Sequence, residues 1–379
     1  MHIAFITPEY PHPNFKGSIG GIGTFTKNLA DELVKKGERV TVFVHSQNKA
    51  EVYNENGIEI HFVIKKRVKG ITWYTNRRVF NKYVNKIILK NKIEVIEAPE
   101  WTGFTAFMNF KCPLLIRLHG SDTYFCDLEN RPVKKKNKFF EKSALNGADR
   151  IIGVSDFVGL KTKELFGVKK EIDTIYNAIS SYGFNPNHQQ IKAKSLLYFG
   201  TLIRKKGVLE IAKMFNELVA VDEEVTLVLL GKDNKDIFTR ASTLSMIEDV
   251  LSEKAKQKVS YVEAVPYNQV INYIQQAEVV LLPSFAEAFP MTWLEAMSME
   301  KKLITSNIGW AKELMIDGVT GFMIDPTNTE DFKNKTLTLL NNPEEADKMA
   351  RNARQRIVDV FDMNKIIIEN IKLYNHIKL

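Results

Sequence analysis

Cysteine is almost missing from this chain of 379 residues: Cys112 and Cys126 are the only two. Their spacing matches no metal-ligand pattern, and two thiols are too few for a disulfide framework, so buried or idle thiols are expected. Long hydrophobic runs are missing too. No apolar stretch approaches the ~20 residues that a membrane-spanning helix needs. The opening MHIAFITPEY has no basic leader region and is broken at Pro8, so no signal peptide is predicted and a cytoplasmic location is expected. No acidic cluster suited to Mg²⁺ is evident. No run of aromatics interleaved with basic residues is present either, and nucleic acid is a poor candidate partner.

What is present suits an enzyme-sized protein with two cores. Apolar residues make up 44% of the chain, and its length exceeds what one hydrophobic core usually organises. Apolar runs of strand length alternate with helical periods, which predicts βαβ units and an α/β fold. In the first half the strand candidates are 3–6, 40–44, 58–63, 95–96, 114–118, 151–154 and 172–176. Phe25, Leu29, Leu33 and Val34 mark a helix that Gly37 stops. The polar segment 182–194 reads as a linker. The pattern then restarts with strands at 195–200, 225–230, 259–262, 279–282, 303–305 and 322–324. The predicted domains are 1–182 and 195–362, with a C-terminal helix over 363–379 that crosses back to the first domain. Doubly wound sheets in tandem predict a central cleft faced by the carboxyl ends of both.

The most informative stretch is EAFPMTWLE, Glu287 to Glu295. It follows a β-branched run stopped by Pro283 and Ser284, and Leu294, Ala296 and Met297 continue it in helical spacing. Glu287 is therefore expected in a loop and Glu295 in an opening helical turn. A strand-to-helix loop at the carboxyl end of a parallel sheet is where open α/β folds bind ligands.

Charge is uneven. Residues 1–190 hold 29 Lys and Arg against 19 Asp and Glu, a net +10, whereas residues 191–379 hold 24 against 26, a net −2. Lys65 to Lys90 and Lys134 to Lys138 form two basic runs. Arg78, Lys82, Lys86 and Lys90 share one helical face, which fits either a solvated helix or contact with an anionic membrane surface.

The order of signatures resembles the retaining GT-B glycosyltransferases of family 4. The segments that carry the resemblance are PEYPHPNFKGSIGGIGTF near the start, LHGSD at 118–122, IIGVSDF at 151–157, YNAI at 176–179, FGTLIRKKG at 199–207, EAFPMTWLEAM at 287–297 and DGVTGFMI at 317–324. They span both predicted domains. The resemblance implies two Rossmann-like domains, the first for the acceptor and the second for the donor. It also implies transfer of a sugar from a nucleotide diphosphate, with UDP or GDP as carrier, and neither cofactor nor metal.

By position, the resemblance makes Lys206 the cation that meets the leaving diphosphate. The family commonly has Arg where this chain has Thr201, and Arg204 in the same loop is the substitute. Glu295 corresponds to the acceptor for the ribose hydroxyls. Glu287 lies nearer the sugar and orients it for front-face substitution, and His119 contacts the sugar from the first domain. Gly20 and Gly21 resemble the loop that admits the donor phosphates; they lie too far past the first strand for a dinucleotide fingerprint. Pro290 has no N–H, so amide donation falls to Phe289, Met291 or Thr292.

For the acceptor, Glu9, Tyr10, Glu100, Trp101, Asp122 and Tyr124 are polar or aromatic candidates. The expected partners are a nucleotide sugar, a carbohydrate or lipid-linked acceptor in surface polysaccharide or glycolipid synthesis, and the inner face of the plasma membrane. A sugar-nucleotide epimerase, a synthase, a phosphorylase or a catalytically silent binding subunit of the same fold are the alternatives.

Overall fold

A computed structural model of the chain describes residues 1–17 and 19–377. It divides into two compact units, the first taking in Met1–Asn177 and the C-terminal segment from Met363, the second Ala178–Asp362. The segment 182–194, expected as a linker, lies within the second unit, where it makes short helical turns and packs Phe184 into the interior.

In the first unit the strands are β1 (His2–Thr7), β2 (Arg39–Gln47), β3 (Glu51–Glu55), β4 (Ile58–Ile64), β5 (Val95–Pro99), β6 (Leu114–Leu118), β7 (Arg150–Gly153) and β8 (Ile172–Thr174). They form one sheet in the order β3-β4-β2-β1-β5-β6-β7-β8. All neighbours are parallel except β3 and β4. The central strands β1 and β6 are buried at every residue, because helices cover both faces of a parallel sheet. The antiparallel β3 was not foreseen. It alternates exposed and half-buried residues with no apolar run, and its signal is the Asn56-Gly57 pair, both at positive φ, that turns it into β4.

The second unit contains β9 (Ser195–Phe199), β10 (Thr226–Leu230), β11 (Val259–Val262), β12 (Val279–Leu282), β13 (Lys302–Ser306) and β14 (Phe322–Ile324). Their order is β11-β10-β9-β12-β13-β14, all parallel. The chain winds outward one way from β9 and the other way from β12. The order therefore reverses between these two strands, and the loops leaving their carboxyl ends open at the switch point. Reversal falls between β1 and β5 in the first unit. These are two Rossmann-like α/β units.

The helix Met363–Ile377 belongs to the first unit, and a buried polar cluster fastens it there. Arg117 on β6 donates to Glu97 on β5 through Nε at 2.7 Å and Nη2 at 3.1 Å, and also to Asn370 on the helix. Tyr374 Oη donates to the same Glu97 at 2.6 Å. All four residues are buried. Each charge has a charged or polar partner, the condition under which buried ions are tolerated.

Candidate active site

In the second unit the candidate residues converge on the switch point. After β9 the chain passes through Gly200, Thr201 and a short helical turn, Arg204–Lys206, to Gly207, which begins the helix Val208–Val221. Gly207 has φ of +73°, and a Cβ there would stand 2.2 Å from the Pro283 carbonyl oxygen, so only glycine lets the β12 loop close on this turn. The Phe285 amide donates to the Lys205 carbonyl at 2.7 Å. This backbone seam sets Lys206 against the β12 loop, where its ammonium donates to Glu287 Oε1. The lysine remains partly open and the glutamate is buried.

Glu295 lies behind them. The helix bearing it runs Met291–Ser298, so Glu295 is in its second turn and not in the opening turn the sequence suggested. Pro290 occupies the position just before the helix, which starts at once with Met291, earlier than expected. A side chain in the second turn is beyond the strong part of the helix dipole, so stabilisation of the helix start does not account for a glutamate here. Its carboxylate is buried and accepts from Tyr267 Oη at 2.7 Å. Burial pushes its pKa up to about 7, against the lowering effects of the Tyr267 hydroxyl and the Lys206 charge. Met291 and Thr292 are half-buried at the helix start. Phe289 is buried, its ring edge-on to Phe361 at 5.5 Å, so its backbone rather than its ring is the part suited to binding.

Arg204 is committed to a partner the sequence did not suggest. It grips Asp236 with Nε at 2.8 Å and Nη2 at 3.2 Å, while the same carboxylate accepts from the Phe238 amide and from the amide and hydroxyl of Thr239. These bonds, Arg204 first, hold Asp236 below the usual carboxylate range. Thr201 is fixed by its backbone, its carbonyl accepting from Tyr198 Oη at 2.8 Å. Neither Asp236 nor Tyr267 has a sequence signal: one sits in a polar loop, the other simply follows Pro266 into a helix.

In the first unit His119 follows β6. Its amide donates to Glu100 Oε2 at 3.0 Å, and its half-buried ring meets Phe25 edge-on at 4.7 Å. Burial, with the Arg117 charge, lowers its pKa to about 3, so the imidazole is neutral at any working pH. Gly20 and Gly21 stand at the start of the helix Gly21–Lys35, and Glu9 accepts from the Gly23 amide at 2.9 Å.

The acceptor candidates separate on burial. Tyr10 and Tyr124 are wholly interior and Glu100 is 1% exposed, so the side chains of these three acceptor candidates are closed to solvent. Tyr10 lies beneath Lys27, Tyr124 packs against Phe125 and Phe157, and Glu100 supports the His119 loop. Burial moves the Glu100 pKa to about 8. Glu9, Trp101 and Asp122 stay partly open, although Glu9 is occupied in capping and Asp122 accepts from Asn137 at 2.8 Å. Among the described residues, no three His, Cys, Asp or Glu side chains are grouped to hold a metal ion.

Comparison with known proteins agrees with this geometry. Residues 19–181 match the model of Glycosyltransferase Family 4, and residues 184–356 that of Glycosyl transferases group 1. An uncharacterised glycosyltransferase of Methanocaldococcus jannaschii is 27% identical over 95% of both chains. A Mycobacterium tuberculosis glycogen synthase is 26% identical over 60% of this chain and 54% of its own. Among solved structures, sucrose-phosphate synthase of Thermosynechococcus elongatus superposes with a TM-score of 0.81 at 18% identity, covering 99% of this chain and 98% of that one. Anabaena HepE, solved with UDP and glucose, gives 0.77 at 17%, covering 99% and 100%. With both units matched in tandem and the folds superposing over nearly the whole length, the chain is a GT-B glycosyltransferase of the family 4 type.

Proposed function

We propose that the chain moves a sugar from a UDP- or GDP-sugar to an acceptor hydroxyl, with retention at the anomeric carbon and without a metal ion, in the synthesis of a surface polysaccharide or glycolipid at the cytoplasmic face of the membrane. The observation that carries this reading is the grouping of Lys206, Glu287 and Glu295 at the switch point of the second unit. A diphosphate leaving group needs its growing negative charge met in the transition state, and Lys206 supplies a cation without help from a metal. Glu295 offers the ribose hydroxyls an acceptor. Glu287, bonded to Lys206, orients the sugar. The acceptor oxygen bonds to the anomeric carbon on the face from which the phosphate oxygen leaves, and that departing oxygen takes the hydroxyl proton. Two carboxylates and a lysine therefore suffice without a covalent sugar–enzyme intermediate. UDP is the first carrier to test, because a neighbour of the same fold holds it.

Purified protein offered a panel of UDP-, GDP- and ADP-sugars tests the reading by calorimetry and nucleotide release. Binding of at least one, weakened by Glu295→Ala, is expected. Binding of none would refute it. Proton NMR of the first product formed reads the anomeric configuration directly.

A further inference from the structure

The first unit carries an apolar surface that the transfer reaction does not use. Ile71, Trp73 and Tyr74 at the start of the helix Thr72–Asn91, Phe107 in the loop after β5, and Phe139 on the helix Lys135–Gly147 are 38% to 64% exposed. They belong to one patch. Phe107 lies 5.9 Å from Phe139 and 6.1 Å from Phe140, and Trp73 lies 5.3 Å from Phe140. The three segments are locked together beneath it. Arg77 donates to the Gly103 carbonyl at 2.9 Å with its guanidinium 4.3 Å from the centre of the Phe140 ring, and a Cβ on Gly103 would stand 2.1 Å from the Phe140 carbonyl carbon. Phe107 itself has φ of +62°, a conformation a bulky residue adopts at a cost. A protein that holds a phenylalanine outward in this way presents it to something.

The segments that carry the patch are rich in cations and poor in acids, although Asp122 on the neighbouring helix accepts from Asn137. Residues 65–92 and 101–121 contain no Asp or Glu, and residues 130–148 contain only Glu141, which is buried and receives bonds from Asp122 and Thr123. Arg67, Lys69, Arg78, Lys135, Lys136 and Lys142 are exposed on the same segments. Aromatic side chains on cation-rich segments complement a surface with an apolar interior and anionic headgroups. An acidic protein would explain the cations but not four outward rings.

We propose that this face of the first unit seats the protein on an anionic lipid bilayer, Trp73, Phe107 and Phe139 entering the headgroup boundary while the lysines and arginines meet the phosphates. The proposal concerns where the enzyme stands and not what it transfers, so vesicle binding and nucleotide-sugar binding can fail separately.

The test is co-sedimentation of the full chain with vesicles of phosphatidylcholine alone and of phosphatidylcholine with phosphatidylglycerol. At least tenfold stronger binding to the anionic vesicles is expected, reduced but not abolished by raised salt. Phe107→Ser/Phe139→Ser should bind only at low salt, and Lys134→Gln/Lys135→Gln/Lys136→Gln should bind several-fold more weakly at every salt concentration. Unchanged melting curves and UDP affinity will show that both variants are folded. Lipids brominated in the acyl chain should quench tryptophan emission in the wild type and fail to do so in Trp73→Phe. Equal pelleting with both vesicle types, or wild-type salt resistance in the phenylalanine variant, would overturn the proposal. A lipid-free dimer that the phenylalanine variant splits would assign the face to a second copy and overturn it equally.

Discussion

Tyr267 Oη gives its hydrogen bond to Glu295 Oε1, 2.7 Å away, and this bond favours the ionised form of a carboxyl that burial drives the other way. Lys206 acts in the same direction through its charge. The ionisation of Glu295 is thus balanced near neutrality, and the ribose contact proposed for it is expected to depend on pH. Removing the hydroxyl in Tyr267→Phe withdraws support from the carboxylate and raises its pKa. Donor affinity should climb with pH through about 7 in the wild type, and the climb should move about one unit alkaline in the variant. Titration calorimetry with UDP from about pH 6 to about pH 9 checks it; superimposable profiles would show that the tyrosine has no hold on the glutamate.

The same carboxyl has a stability signature. Its folded pKa, about 7, lies above the ordinary glutamate value of 4.5, so the folded state binds the proton more tightly. The stabilisation is complete below the unfolded value and is lost as pH rises through about 7. Glu295→Gln keeps a neutral group there at all pH. The variant should therefore gain on the wild type as pH rises, by about 2–3 kcal/mol at pH ~8, while donor affinity falls. Thermal melts at acid and mildly alkaline pH measure the difference; a gain that does not depend on pH would contradict the assignment.

Lys206 and Glu287 should behave as a unit. Lys206→Ala is expected to lower kcat by about 10²–10³ through loss of charge at the leaving diphosphate, and Glu287→Ala to lower it comparably. The double variant should be far less impaired than the product of the two effects, because each residue positions the other. Additive losses would mean that their contact in the structure is incidental.

Arg117 should be among the costliest residues to replace. Arg117→Met leaves Glu97 buried with Tyr374 as its remaining hydrogen-bond donor among those described above, a loss of about 3–5 kcal/mol. Adding Glu97→Gln should recover part of it. Denaturant unfolding of both variants decides, and equal stability of the single and double variants would show that the charge was not what suffered.

The sequence made the architecture readable wherever burial was complete. Strands β1, β6, β9 and β12 are sealed on both faces and appear as mostly apolar runs, interrupted inside β6 by Arg117, so their apolar content finds them. The edge strand β3 is half wet and left only its Asn-Gly turn as a trace. In the site, Lys206, Glu287 and Glu295 were legible because each sits in a motif of fixed order. Asp236 and Tyr267 were not, since a buried carboxylate in a polar loop and a tyrosine after proline look ordinary until the fold brings Arg204 and Glu295 to them. The burial of Tyr10, Tyr124 and Glu100 was not legible for a related reason: polarity says little about exposure in the loops and helix starts that follow a buried strand.

The helix that completes the first unit follows the whole second unit in the chain. On the ribosome, Arg117 and Glu97 are made some 250 residues before Asn370 and Tyr374 arrive to cover them. The second unit is synthesised in full during that interval. Nascent chains should thus show a protease-resistant second unit before the first one is sealed, and any truncation within this helix penalises the first unit, some 250 residues earlier in the sequence.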